Sequence, residues 1–148
     1  MRGQDTFTYT VQARCTPATA SALLADLTRQ VELHPLIVRV TPRPTRPGAR
    51  ASYMITDRVA LGPLRLPISY QADVLTASTE EVVVVARQWS GTRVRNHARI
   101  RTEAPDQVRI DVEISIAAPA PLLGYALRQA RAAHLCLAAR LGAALDGA

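Results

Sequence analysis

The order of its elements constrains this chain most. Hydrophobic periodicity gives one strand, then a short helical patch, then a long run of alternating strands, and last a long apolar-faced helix from Pro119 to about Leu145. That order predicts a curved sheet gripping a helix. Such a sheet closes tightly on a single helix only when bulky side chains fill the gap, yet aromatic residues make up only 4% of the sequence. A ligand cavity between sheet and helix is therefore expected.

At 148 residues the chain is long enough to bury a core without disulfides or metal ions, and one domain over 1–148 is expected. Its apolar runs fall short of the roughly 20 residues a bilayer span needs. The first residues, Met1-Arg2-Gly3-Gln4-Asp5, enter a strand with no apolar signal region, which predicts a cytoplasmic protein. Cys15 and Cys136 lie far apart, with no CxxC spacing and no nearby His ligands, so both are read as buried small hydrophobes. No metal site and no cofactor are expected.

All 18 basic residues that carry the net charge of +6 are Arg, and the absence of Lys excludes lysine Schiff-base chemistry. Abundant Arg and Ala without Lys is also what GC-rich codons impose. Nucleic acid is not expected as a partner, because no reading helix or interleaved exposed aromatics accompany the charges. The sequence contains no GxSxG, P-loop, GxGxxG or HExxH pattern, so serine hydrolase, nucleotide and zinc-protease readings lose their usual support.

Along the chain, Thr6 to Cys15 alternates as a strand with Phe7, Tyr9, Val11 and Ala13 on one face. Thr16-Pro17 has the side chains of a helix start, and a second short turn from Arg29 to Leu33 must stop at His34-Pro35. Val38 to Pro42 is the next strand, and the proline-rich stretch from Pro42 to Gly48 is a loop. Ala49 to Leu61 and Leu64 to Thr76 form a hairpin through Gly62-Pro63, which pairs Val59 with Leu66, Asp57 with Ile68, Ile55 with Tyr70 and Tyr53 with Ala72. A two-residue turn at Ser90-Gly91 would pair Arg87 with Val94, Val85 with Asn96 and Val83 with Ala98, all inward, unless a bulge inverts part of the assignment. Arg93, Arg95, His97, Arg99 and Arg101 then face outward. Val108, Ile110, Val112, Ile114 and Ile116 form the inner stripe of the last strand, and the helix seam reads Leu123, Leu127, Ala130, His134, Leu137, Leu141.

Asp57 is the sharpest clue, because a carboxylate between Ile55 and Val59 on the inner face must be paired, protonated or at the cavity mouth. A raised pKa suits a general acid or base; the alternative is a strand cap or a pair with an Arg at the rim. His134 is either a proton shuttle facing the cavity or a neutral core histidine. Tyr53 and Tyr70 point inward, where their hydroxyls can orient a ligand carbonyl or simply pack. Arg87 beside Trp89 can anchor a carboxylate, phenolate or thioester oxygen, or lie exposed at the end of the sheet. Asn96 is a weaker polar candidate in the same stripe. The outer arginine row is a solvated strand face or a dock for an acidic partner such as an acyl carrier protein.

Two segments carry a family likeness: Thr16-Pro17-Ala18 through Asp26-Leu27 to Glu32-Leu33-His34-Pro35, and Pro119-Ala120-Pro121-Leu122-Leu123 through Ala133-His134-Leu135 to Leu141. With the strand order between them, they resemble the SRPBCC or START-like superfamily, especially its polyketide cyclase/dehydrase branch. The resemblance implies an α+β helix-grip fold, a curved antiparallel sheet of about seven strands wrapped around the C-terminal helix, with two short helices after strand 1. It also implies an elongated ligand cavity. Members include aromatase/cyclases as well as lipid and isoprenoid carriers, so two functions are carried forward. In one, the protein binds a small hydrophobic, oxygen-bearing molecule such as a polyketide-like substrate and promotes its cyclisation or dehydration as a lyase or isomerase. There Asp57 or His134 moves protons, Tyr53, Tyr70 and Asn96 bind carbonyl oxygens, and Arg87, beside Trp89, stabilises enolate charge. In the other it is a non-catalytic carrier of a lipid or isoprenoid.

Overall fold

The computed structural model describes residues 2–61, 63–88 and 91–147. The chain runs β1 (Arg2–Ala13), α1 (Pro17–Ala25), a 3-10 turn (Leu27–Arg29), α2 (Gln30–Leu33) and β2 (Ile37–Arg43). It continues through β3 (Ala51–Leu61), β4 (Leu64–Ala77), β5 (Glu81–Arg87), β6 (Arg93–Ala104) and β7 (Gln107–Pro119) into α3 (Ala120–Leu145). The strands form one seven-stranded sheet in the order β1-β7-β6-β5-β4-β3-β2, with every neighbouring pair antiparallel. This is the helix-grip architecture that the element order predicts.

Local chemistry sets the elements. The Thr16 hydroxyl accepts the Thr19 N–H at 3.2 Å and Pro17 occupies the first turn, so α1 starts where its backbone donors are satisfied. Asp26 repeats the device for the 3-10 turn by accepting the Thr28 N–H at 3.1 Å. Pro42 is tolerated within β2 because that strand is the sheet's edge. On β7, burial alternates along the whole strand, and Ile110, Ile114 and Ile116 are fully buried. Removing each of those side chains from water contributes about 1.5–3 kcal/mol.

The hairpin register of β3 and β4 is the predicted one, from Tyr53 opposite Ala72 to Leu61 opposite Leu64; Gly62 itself lies outside the described residues. β5 differs by one residue. Arg87 lies opposite Arg93, Val85 opposite Arg95 and Val83 opposite His97, so Val82, Val84 and Ala86 turn inward instead. The reason is the length of the connection: the Gln88 N–H donates to the Thr92 carbonyl at 2.9 Å, leaving three residues between the strands rather than two. Gly91 supplies the positive φ of 81° that such a loop needs. One extra residue sends every β5 side chain to the opposite face.

Two apolar clusters hold the sheet's concave side. The larger joins β1, β6, β7, α1 and α3 through residues such as Phe7, Leu23, Ile110, Ile114, Leu137 and Leu141. The smaller sits under the 3-10 turn, where Leu27 meets Ile37, Ile55, Ala72 and Val74. Within the sheet α3 packs on β1 and β7, so β3 to β5 curl past the helix without touching it closely. That gap between the clusters becomes the site. Cys15 is buried as expected, but Cys136 on α3 is only half-buried.

Candidate functional site

A cavity of about 530 Å³ lies between α3 and the concave face of the sheet, walled largely by aliphatic side chains such as Ile55, Ile68, Val84, Val112 and Leu137. Polar side chains interrupt that wall, among them Gln30, Gln88, Thr92, Asn96, Tyr125 and Gln129, and two groups of them contain titratable side chains held by burial and by one another.

The first stands on the β3–β4 hairpin. Asp57 is 7% exposed, and the Tyr70 hydroxyl donates to its Oδ1 at 3.1 Å. Both line the cavity because the register puts Asp57 and Tyr70 on the same face, two residues apart across the pair. Burial pushes the Asp57 carboxyl up to about 6 against the opposing pull of the Tyr70 hydrogen bond. The Tyr70 phenol in turn is held well above its ordinary value by burial and by the charge of Asp57. Such a carboxyl exchanges its proton near neutral pH.

The second group joins β1, α2 and α3. The Tyr9 hydroxyl and His134 Nδ1 lie 3.4 Å apart, and the His34 ring meets the His134 ring edge to face with centroids 5.5 Å apart. The Leu36 N–H donates to His34 Nδ1 at 3.2 Å, which leaves the His34 proton on Nε2. Burial lowers His134 to about 3, assisted by His34. Burial and the nearby Arg140 guanidinium lower His34 to about 4. Both imidazoles are neutral at physiological pH.

The structure brings together Asp57, Tyr70, His134 and Asn96 of the residues singled out in the sequence. Tyr53 shares the inner face but stands outside the cavity lining, its hydroxyl against the Leu27 backbone and near Asp26. Arg87 is a correction. The one-residue shift of β5 carries it to the convex face, half-exposed, with Nη1 3.6 Å from the buried Asp73. Trp89 lies outside the described residues. Sequence reasoning passed over Tyr9 and His34, although the apolar stripe containing Tyr9 carries the same signal as Tyr53 and Tyr70. His34 is fixed outside the helix by Pro35, the position that aims its ring at α3. Among the described residues, no cluster of three or more His, Cys, Asp or Glu side chains is arranged to hold a metal ion. No helix among them is long and apolar enough to cross a membrane.

An antiparallel sheet gripping a C-terminal helix is the fold of START superfamily and aromatase/cyclase structures. Solved structures with this fold superpose along nearly the whole chain. The di-domain ARO/CYC StfQ from the steffimycin biosynthetic pathway matches with a TM-score of 0.73 at 12% identity, over 95% of this chain and 50% of that one. This chain thus spans half the length of that di-domain protein. A START superfamily protein from Mycobacterium smegmatis matches at 0.72 and 16% identity over 97% of both chains. A point mutant of norcoclaurine synthase from Thalictrum flavum, in complex with a transition-state analogue, matches at 0.71 and 9% identity over 98% of this chain and 96% of that one. No family model and no curated protein matches the sequence.

Proposed function

We propose that the protein encloses a mostly apolar, oxygen-bearing small molecule and promotes its cyclisation or dehydration without a cofactor. The observation that carries this reading is Asp57, a carboxyl in the cavity wall, nearly excluded from solvent and hydrogen-bonded by Tyr70. A cavity that only stores a lipid needs no such group, and the fold tolerates it at a cost.

In an aldol cyclisation the Asp57 carboxylate would take a proton from carbon next to a ligand carbonyl. The resulting enolate carbon forms the new bond to a second carbonyl carbon, whose oxygen takes the proton back from Asp57. Dehydration follows the same accounting: the carboxylate removes a C–H proton and its acid form protonates the departing hydroxyl, releasing water. The Asn96 amide lines the same cavity and can donate to the enolate oxygen, a role that Arg87 on the convex face does not fill. His134, held neutral by burial, can hydrogen-bond a ligand oxygen but does not titrate near neutral pH. A folded ligand held by the aliphatic walls supplies the proximity such a step requires. The exposed Arg93, Arg95 and Arg99 of β6 offer a docking face to an acidic partner such as an acyl carrier protein.

The apolar majority of the wall favours one other reading, a carrier of a lipid or isoprenoid. Native mass spectrometry of freshly purified protein separates the two. A cyclised phenolic retained by the wild type, with its open-chain precursor retained by Asp57→Asn, is the expected result. The same unmodified lipid or isoprenoid in both proteins overturns the catalytic reading and establishes the carrier.

A further inference from the structure

Tyr9 and Asp57 stand on strands β1 and β3, five steps apart in the sheet, about 24 Å along its curve at about 4.8 Å per strand. The cavity therefore carries polar groups of different chemistry on two well-separated strands. At the Asp57 end the polar groups are a carboxyl and the Tyr70 phenol that donates to it. At the other, Tyr9, His134 and His34 are three neutral groups, each with hydrogen-bonding capacity left over.

Tyr9 and His134 approach only to 3.4 Å, at the long limit of a hydrogen bond. If the phenol donates to His134 Nδ1, both lone pairs of Tyr9 Oη stay open and the His134 proton is on Nε2. His34, with Nδ1 occupied by the Leu36 N–H, presents an Nε2–H as well. Acceptors and donors thus stand side by side. A carbonyl can use only the donors. A carboxylate would bring a charge into a cavity that no arginine lines among the described residues. A hydroxyl donates and accepts at once, and satisfies both.

We propose that Tyr9, His134 and His34 form a hydroxyl-binding subsite that fixes the end of the ligand remote from Asp57. The ligand is then a neutral molecule with a phenolic, enolic or alcoholic hydroxyl at that end. Tyr9 and His34 act as positioning residues. This inference rests on the cavity being the ligand site, and it holds whether Asp57 is catalytic or not.

The test uses two probes of one shape, naphthalene and 2-naphthol, titrated by calorimetry into the full chain and into Tyr9→Phe and His134→Leu. The expected result is a loss of about five- to tenfold in 2-naphthol affinity for both variants, with naphthalene affinity unchanged. Retained naphthalene binding certifies that each variant is folded. In the wild type, the ring-nitrogen NMR shifts of His134 and His34 should move on adding 2-naphthol beyond any change that naphthalene produces. Wild-type affinity for 2-naphthol in Tyr9→Phe, equal losses for both probes, or unmoved ring nitrogens would each overturn the subsite while leaving the cavity reading intact. Failure of naphthalene to bind the wild type would overturn the cavity reading and the subsite with it.

Discussion

A carboxyl held near 6 inside an aliphatic wall destabilises the fold whenever it is ionised. Asp57 is raised in the folded state from an ordinary 3.8 to about 6, so between those values the native chain binds more protons than the unfolded one. Stability attributable to this group is full below pH 4 and lost as pH rises through 6, by about 2–3 kcal/mol. Asp57→Asn keeps an acceptor for Tyr70 and removes the charge. Urea titrations should show the variant about 2 kcal/mol more stable than wild type at pH 8 and equal to it below pH 4; a difference that does not change with pH sinks the argument. The histidines work in the opposite direction. His34 and His134, lowered from 6.5 to about 4 and about 3, bind fewer protons folded than unfolded. Their contribution is full above pH 6.5 and falls away as pH drops towards the folded values. Wild-type stability should therefore decline from pH 6.5 downward, with Asp57 offsetting part of the loss, and His134→Leu should flatten the decline. An unchanged slope in that variant would show that His134 is no more buried than an ordinary surface histidine.

Between elements, the convex face is tied down by one buried carboxylate. Asp73, 4% exposed, accepts from Ser52 Oγ at 2.7 Å, and the same Ser52 oxygen accepts the Arg46 N–H at 3.0 Å. The guanidinium groups of Arg46 and Arg87 approach Asp73 Oδ2 to 3.7 and 3.6 Å. Asp73→Ala should cost about 1–3 kcal/mol and speed trypsin cleavage after Arg50, whereas an unchanged digestion rate would mean that the loop is held by other contacts. The same region shows what a sequence makes legible. The β3–β4 register follows from alternation on both sides of Gly62-Pro63, because a slip there would have put Ile55 and Val59 in water. The β5 run Val82-Val83-Val84-Val85 has no polar alternate to betray its face, and Ser90-Gly91 fits a two-residue or a three-residue loop equally. That ambiguity hides both the face on which Arg87 falls and its approach to Asp73. Asp57 and Tyr70 were legible because one hairpin carries both. The contact of Tyr9 with His134 joins residues 125 apart in sequence, and no local pattern records it.

At the scale of the whole molecule, the cavity is a deliberate shortage of core. Ala72, Ala86, Ala98, Ala126, Ala130 and Ala133 line it where larger side chains would have filled it. Ala130→Leu should bury new apolar surface in that space, raising stability by about 1 kcal/mol and the melting temperature by about 3 °C. It should also weaken naphthalene binding; a stabilised variant that binds naphthalene as tightly as wild type would place the probe elsewhere. The pairing of β1 with β7, from Arg2 opposite Pro119 to Ala13 opposite Val108, has a consequence for how the protein comes into being. As the chain leaves the ribosome, β1 has no partner strand until residues 107–119 have been synthesised, and the part of the concave face under α3 stays bare until that helix follows. The last turn of α3 is then clasped to the end of β1, where Asp146 accepts the Arg14 N–H and the Gly147 N–H donates to the Arg14 carbonyl, each at 2.8 Å. Among the described residues, pairing of β1 with β7 is the one non-consecutive neighbour relation in the sheet, and a closure of that length is slow and leaves an apolar surface for chaperones to guard. The nascent chain therefore has no closed pocket before α3 has emerged, and a ligand can be captured only from that point on.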